Sequence, residues 1–289
     1  MRSCVSKIKL VKMKKVETLR QLQLVSTYIY RDLRQFCNNN GLQVYLHGGT
    51  LIGALRHKGY IPWDDDIDVC MSRTDYDKML QLGGGRISDK CSLIDPETTE
   101  SFNGYIPVVV YNESVMESGQ YREKEDLKIG ISIFVYDGVP KNILCRSMYF
   151  LRMYILRSKH ALCRADFKHV NTTAAKVFGP VFQCFFKSKN TLKYKTKILK
   201  LQKKYKYQDS DLISTNADYQ SSREVCAKTD YEKAVEVFFE GIRSFTYSHY
   251  DSHLRKYYGD YMKLPPVEAQ IPKHSFTAYI EDSFVFPEN

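Results

Sequence analysis

The sequence predicts an α+β fold: a small mixed sheet flanked by helices, with a basic helical insertion and a helical C-terminal part. Three observations lead there. Short runs rich in branched and aromatic residues alternate with helical periodicities up to residue 138. From about 141 to 207, seventeen Lys and Arg stand against a single acid, Asp166. Beyond 230 a helical spacing returns and is punctuated by Gly259 and Pro265-Pro266. The chain of 289 residues can bury a sizeable core, and these changes divide it into a core over 1–140, the insertion over 141–229 and a segment over 230–289 expected to pack on the core.

Each element has its own signal. Val16, Leu19, Leu22, Ile29, Leu33 and Phe36 recur on one helical face and Gly41 stands beyond them, predicting a helix over 15–39. "LQVYLH" (42–47) alternates Val44 and Leu46 with other side chains and enters a tight turn at Gly48-Gly49. A short helix over 50–59 follows, with Thr50 placed to cap it and Gly59 to stop it. "DIDVCM" (66–71), "IPVVVYN" (106–112) and "KIGISIFVYDG" (128–138) read as strands, with a helix over 75–82 after the first. "YEKAVEVFFEGI" (231–242) opens the C-terminal part as a helix.

The net charge of +10 argues for an anionic partner such as nucleic acid, anionic lipid or a phosphorylated sugar. The charge is local, since 141–207 carries +16 and the rest of the chain sums to −6. There the lysines and arginines are interleaved with aromatics, as in "RSMYFLRMYILRSKH" and "VFQCFFKSKNTLKYKTKILKLQKKYKY". Two readings stand: a helical insertion with a solvated lysine face, or a surface that rests on an anionic membrane or a charged polymer. Eight scattered cysteines (Cys4, Cys37, Cys70, Cys91, Cys145, Cys163, Cys184, Cys226) form no C-x-x-C pair and are read as reduced thiols of a cytosolic protein. The basic N-terminus lacks the continuous apolar core of a signal peptide, and runs such as 177–186 are about half of the roughly 20 residues of a spanning helix. A cytoplasmic protein is expected, peripheral at the inner face of the plasma membrane if the basic segment meets lipid.

The chemistry concentrates in "LHGGTLIGALRHKGYIPWDDDIDVCM" (46–71). Side chains alternate along a strand, so Asp66 and Asp68 are expected on one face, about 7 Å apart at the backbone, where they suit a divalent cation. Glycines ahead of a helix let backbone N–H groups approach phosphate, and Arg56, His57 and Lys58 add positive charge downstream. An acidic cluster alone is usually a solvated loop, and a glycine pair alone is usually a turn. The order strand, Gly-Gly, helix, then aspartates alternating with apolar residues is what points to metal-assisted phosphoryl transfer. Trp63 reads as packing beside the site, while His47 reads equally as packing or function.

The same stretch resembles the signature of the LicD family, which includes bacterial phosphocholine transferases and the fukutin-related proteins. "GISIFVYDG", "FFEGI" and "YYGDYMKLPP", with His274 beyond, follow in the family's order, so the resemblance covers roughly 20–140 and 235–275. It implies a nucleotidyltransferase-like (polymerase-beta-like) fold and a divalent metal, Mg²⁺ or Mn²⁺. It also implies transfer of a substituted phosphate, such as phosphocholine or ribitol phosphate, from a CDP-alcohol to a sugar hydroxyl of a cell-surface glycan or lipid-linked precursor. By this resemblance Gly48 and Gly49 hold the donor phosphates and Asp66 and Asp68 carry metal and catalysis, with Asp64 and Asp65 matching as further metal ligands; from their positions, Thr50, Arg56 and Lys58 are expected beside the donor. One departure matters: where the family reads Ile-Asp-Ile-Phe, this chain has Ile131-Ser132-Ile133-Phe134. Serine is a poor cation ligand and no base near neutral pH, so a scaffold that binds nucleotide or glycan without turnover is the alternative. An RNA-directed enzyme would explain the charge but not the C-terminal resemblance, and nucleic acid is not expected as a partner.

Overall fold

A computed structural model describes residues 13–117, 127–164, 191–217, 219–272 and 277–287. The basic N-terminus before Met13, the apolar run 177–186 and His274 lie outside the described residues.

The chain opens with a short strand, β1 (Met13–Lys15), and the predicted first helix starts later, as α1 (Leu19–Asn39). The delay has a local cause: Thr18 and Gln21 form a reciprocal capping box that fixes the helix start. The inward face of α1 carries Leu22, Val25, Ile29 and Leu33, all essentially removed from water, each such burial stabilising the fold by about 1.5–3 kcal/mol. It lies on a mixed sheet of order β2-β3-β7-β5-β4, made of β2 (Tyr45–Leu46), β3 (Asp68–Ser72), β7 (Gly130–Gly138), β5 (Val108–Tyr111) and β4 (Cys91–Ile94). Only β3 and β7 run parallel, with Asp68 registered against Ser132. Buried on both sides, β3 reads Val69-Cys70-Met71 without alternation, as a central parallel strand does.

Helix α2 (Gly48–His57) starts two residues before the predicted 50–59, with His47 rather than Thr50 at the N-cap position. Helix α3 (Arg73–Gly83) follows β3 directly, capped by Ser72. β3 begins only at Asp68, so Asp66 stands in the preceding loop rather than on a shared strand face as expected. After β7 come α4 (Ile143–Arg164) and α5 (Thr191–Gln202), which share a small separate core of Val139, Tyr149, Met153, Ile198 and Leu201. The chain then returns to the main sheet: β8 (Leu212–Ser214) pairs with the end of β7, and β9 (Cys226–Ala227) pairs with β8.

The helix expected over 231–242 is a correction. After a single-turn α6 (Lys228–Tyr231), residues 234–247 form a hairpin of β10 (Ala234–Phe239) and β11 (Ile242–Tyr247). Val237 and Phe239 are buried while Glu236 and Phe238 are exposed, a period of two that the many apolar residues disguise. Glu240 and Gly241, both at positive φ, make the two-residue turn such a hairpin requires. The C-terminal part is therefore mixed: α7 (Tyr250–Tyr258) is helical, and β12 (Thr277–Glu281) joins β1 and β6 (Ser114–Glu117) in a second sheet of order β1-β12-β6.

Candidate active site

The passage from β2 into α2 goes through His47, in extended backbone, and Gly48 at φ +53°, a geometry a side chain strains. Tyr258 Oη and Asp68 Oδ2 lie 3.3 Å and 3.7 Å from where a Cβ on Gly48 would stand. On Gly49 a Cβ would come within 2.9 Å of Asp64 Oδ2. The glycine pair is thus pressed against the acids, and the two halves of the motif form one site.

Short backbone ties hold it in place. The Asp68 N–H donates to Thr50 Oγ1 at 2.9 Å, and the His47 N–H donates to the Asp68 carbonyl at 3.0 Å. The Asp64 N–H donates to the Ile61 carbonyl at 2.9 Å, while Gln23 Nε2 from α1 donates to the Asp64 carbonyl at 2.8 Å. Carboxylate oxygens of Asp64, Asp65 and Asp66 fall within 4.8 Å of one another in half-buried positions. Desolvation, and next the Asp66 carboxylate, push the Asp68 carboxyl well above the usual range, with His47 opposing them. Oxygen-only donors in half-buried positions, crowded enough to repel one another, fit a hard divalent cation such as Mg²⁺ or Mn²⁺.

Beneath the site lies a buried polar cluster of His47, Glu224 and His253, whose ligand atoms are also within 4.8 Å of one another. His47 Nε2 meets Glu224 Oε1 at 3.3 Å, Thr215 donates to the other oxygen, and Tyr247 Oη is 3.4 Å from His47 Nδ1. Burial works against charge on His47, but its contacts with Cys70 and Glu224 outweigh this and raise its pKa well above the usual value. Burial and the neighbouring His47 lower His253 to about 3, leaving it neutral. His47 therefore joins the glycine pair to this buried cluster. Trp63 is half-buried beside the acids.

Ser132 occupies the half-buried position registered against Asp68 across the parallel ladder. Asp137 does not replace the missing carboxylate: it is buried and held by Arg73 through two bonds of 2.8 Å. Arg56 and Lys58 are not brought to the glycine pair. They stand at the far end of α2, about 12 Å along its axis. Arg56 donates to the Tyr261 and Lys263 carbonyls, and Lys58 ends the helix in left-handed backbone.

Sequence reasoning missed Tyr258, Gln23 and Glu224. Tyr258 belongs to "YYGDYMKLPP", a segment singled out without a residue being chosen from it. Glu224 and Gln23 carry no local pattern, since their roles come from elements 177 and 41 residues away in the chain from His47 and Asp64.

Comparison with known proteins fits this geometry. Residues 41–137 match the family model described as LicD/FKTN/FKRP, nucleotidyltransferase domain. The chain is 31% identical over 283 residues to the lipopolysaccharide cholinephosphotransferase LicD of Haemophilus influenzae, covering 93% of this chain and 100% of that protein. Shorter matches reach an uncharacterised protein of Rickettsia prowazekii (33% over 54 residues, 19% of this chain and 20% of that one) and one of Rickettsia typhi (36% over 47 residues, 16% and 15%). A match spanning nearly the whole chain, with the glycine pair and aspartates assembled into one cleft, shows that this protein belongs to the LicD family.

Proposed function

We propose that this protein transfers a substituted phosphate, of the phosphocholine or ribitol-phosphate kind, from a CDP-alcohol to a sugar hydroxyl of a lipopolysaccharide-type glycan or its lipid-linked precursor. The observation that carries this reading is the contact of Gly48 and Gly49 with Asp68 and Asp64 at the start of a ten-residue helix. That arrangement sets phosphate-binding N–H groups and cation-binding oxygens side by side. The name of the Haemophilus relative, a lipopolysaccharide cholinephosphotransferase, supports the choice of donor and acceptor, and the family model's description supports a nucleotidyltransferase-like core.

Asp64, Asp66 and Asp68, with Asp65 beside them, would hold a divalent cation, which when bound neutralises the donor diphosphate and the charge developing on it. The N–H groups of Gly49 and Thr50 in the first turn of α2, together with the helix dipole, orient the phosphate oxygens. The Tyr258 hydroxyl, over Gly48, supplies a further donor. The acceptor oxygen attacks the distal phosphorus in line, a new P–O bond forms, the bond to the bridging oxygen breaks, and CMP leaves. Asp66 or Asp68 takes the acceptor proton.

The test is calorimetric titration of Mg²⁺ or Mn²⁺ with CDP-choline and CDP-ribitol, together with an assay for CMP release. Metal-dependent binding of a CDP-alcohol that Asp68→Ala abolishes is expected; normal turnover by Asp68→Ala refutes the site. Ser132 beside Asp68 favours a second reading, a nucleotide- or glycan-binding scaffold without turnover. Binding of a CDP-alcohol or glycan by the natural protein without CMP release, with release appearing in Ser132→Asp, would establish it.

A further inference from the structure

One helix of this protein is apolar on two opposite faces. α4 turns Tyr149, Met153 and His160 inward, where Tyr149 and Met153 pack with Ile198 and Leu201 of α5. On the other side Leu144, Met148, Leu151 and Ile155 follow at i, i+4, i+7 and i+11, a single stripe, with exposures of 73%, 70%, 58% and 43%. Ile143 and Tyr154 widen it. A contiguous apolar strip of this size facing water marks an interaction site. The charges around it say of what kind. Arg152 and Lys159 border the stripe, the adjoining α5 exposes Lys197 and Lys200, and neither helix contains an acid. A second copy of the chain would set cations against cations, whereas an anionic lipid surface complements both the stripe and its rim.

We propose that α4 is an interfacial helix that docks this protein on an anionic bilayer, with Leu144, Met148, Leu151 and Ile155 in the headgroup–acyl boundary and Arg152, Lys159 and the α5 lysines on lipid phosphates. Among the described residues no helix is long and apolar enough to cross a membrane, so the contact is one of lying on the surface. The inward face of α4 is fixed to the sheet. The second half of α4 folds back on the loop that feeds β5: His160 Nε2 donates to the Asn103 carbonyl at 2.9 Å, and the Tyr105 and His160 rings are 5.2 Å apart. Val108, the first residue of β5, registers against Ser132. These contacts tie the inward face of α4 to the strand beside Ser132 and leave the stripe on the opposite face turned outward.

The docking stands without the transfer chemistry, and its test reads binding alone. The full chain is sedimented with vesicles of phosphatidylcholine, with and without phosphatidylglycerol, at low and high salt. Expected are binding to the phosphatidylglycerol vesicles, its loss at high salt, and a fall of at least about tenfold in Leu144→Glu/Leu151→Glu with an unchanged melting curve. Should the double variant melt early, Met148→Gln, which keeps helix propensity, repeats the readout and is expected to weaken binding too. No binding at low salt overturns the proposal. So does equal binding by the stripe variants, which would mean that the lysines adsorb without the helix. A dimer of the natural protein that ignores vesicles and dissociates in the stripe variants would assign the face to a second copy instead.

Discussion

Gly49 shows how little room the site leaves: with Asp64 Oδ2 2.9 Å from a Cβ at this position, even alanine must displace the carboxylate. Gly49→Ala is expected to fold but to lose at least about tenfold in metal-dependent nucleotide binding, since one ligand of the set is moved; calorimetry against the natural protein checks it. Gly48→Ala adds backbone strain at φ +53°, about 1–2 kcal/mol, and should lower the unfolding midpoint as well. At Ser132 the direction reverses. An aspartate there would stand next to Asp68, so Ser132→Asp should tighten Mg²⁺ and raise CMP release. The glycines, the aspartates and Ser132 were all legible in the sequence because their spacing is local. Which of the aspartates stands on the strand was not, because the ladder with β7 begins only at Asp68.

The β10–β11 hairpin is where local pattern misled. Its Val, Phe and Ala residues satisfy a helical spacing, and the decision for strand came from the Glu240-Gly241 turn and from what the hairpin reaches. Glu240 accepts from Arg20 Nη2 at 2.7 Å and from the Tyr60 N–H at 3.1 Å, tying the turn to α1 and to the loop before the aspartates. Glu240→Ala leaves that buried N–H without its acceptor and should cost about 1–3 kcal/mol in denaturant unfolding. Arg73 and Asp137 join α3 to β7 in the same way but deeper, at 12% and 2% side-chain exposure. Asp137→Ala strands a largely buried guanidinium, with an expected loss of about 3–5 kcal/mol. It should leave metal binding intact in the fraction that stays folded, which separates Asp137 from the acids proposed to hold the metal.

At the scale of the molecule, the two ends of the chain close the fold. β12 lies between β1 and β6, and Glu281 at its end is bound by Lys90, Ser283 and Tyr111. Those bonds, Lys90 first, pull the Glu281 carboxyl from 4.5 down to about 2. A carboxyl whose pKa is depressed on folding stabilises the protein above its unfolded value and ceases to do so as pH falls through the folded one. The thermal midpoint should therefore decline between pH 4.5 and about 2, and Glu281→Gln should flatten that part of the decline. Through this closure the C-terminal segment also brings Tyr258 to Gly48 and His253 beneath His47. The sequence by itself determined the motif, the central strands and the basic, aromatic character of 141–207, because each is written in the spacing of neighbouring residues. Only the tertiary structure decided that Glu224, Gln23 and Tyr258 converge on the cleft, that Arg56 stands away from it and that α4 leaves an apolar face uncovered. Those facts depend on contacts between residues far apart in the chain, which no local pattern encodes.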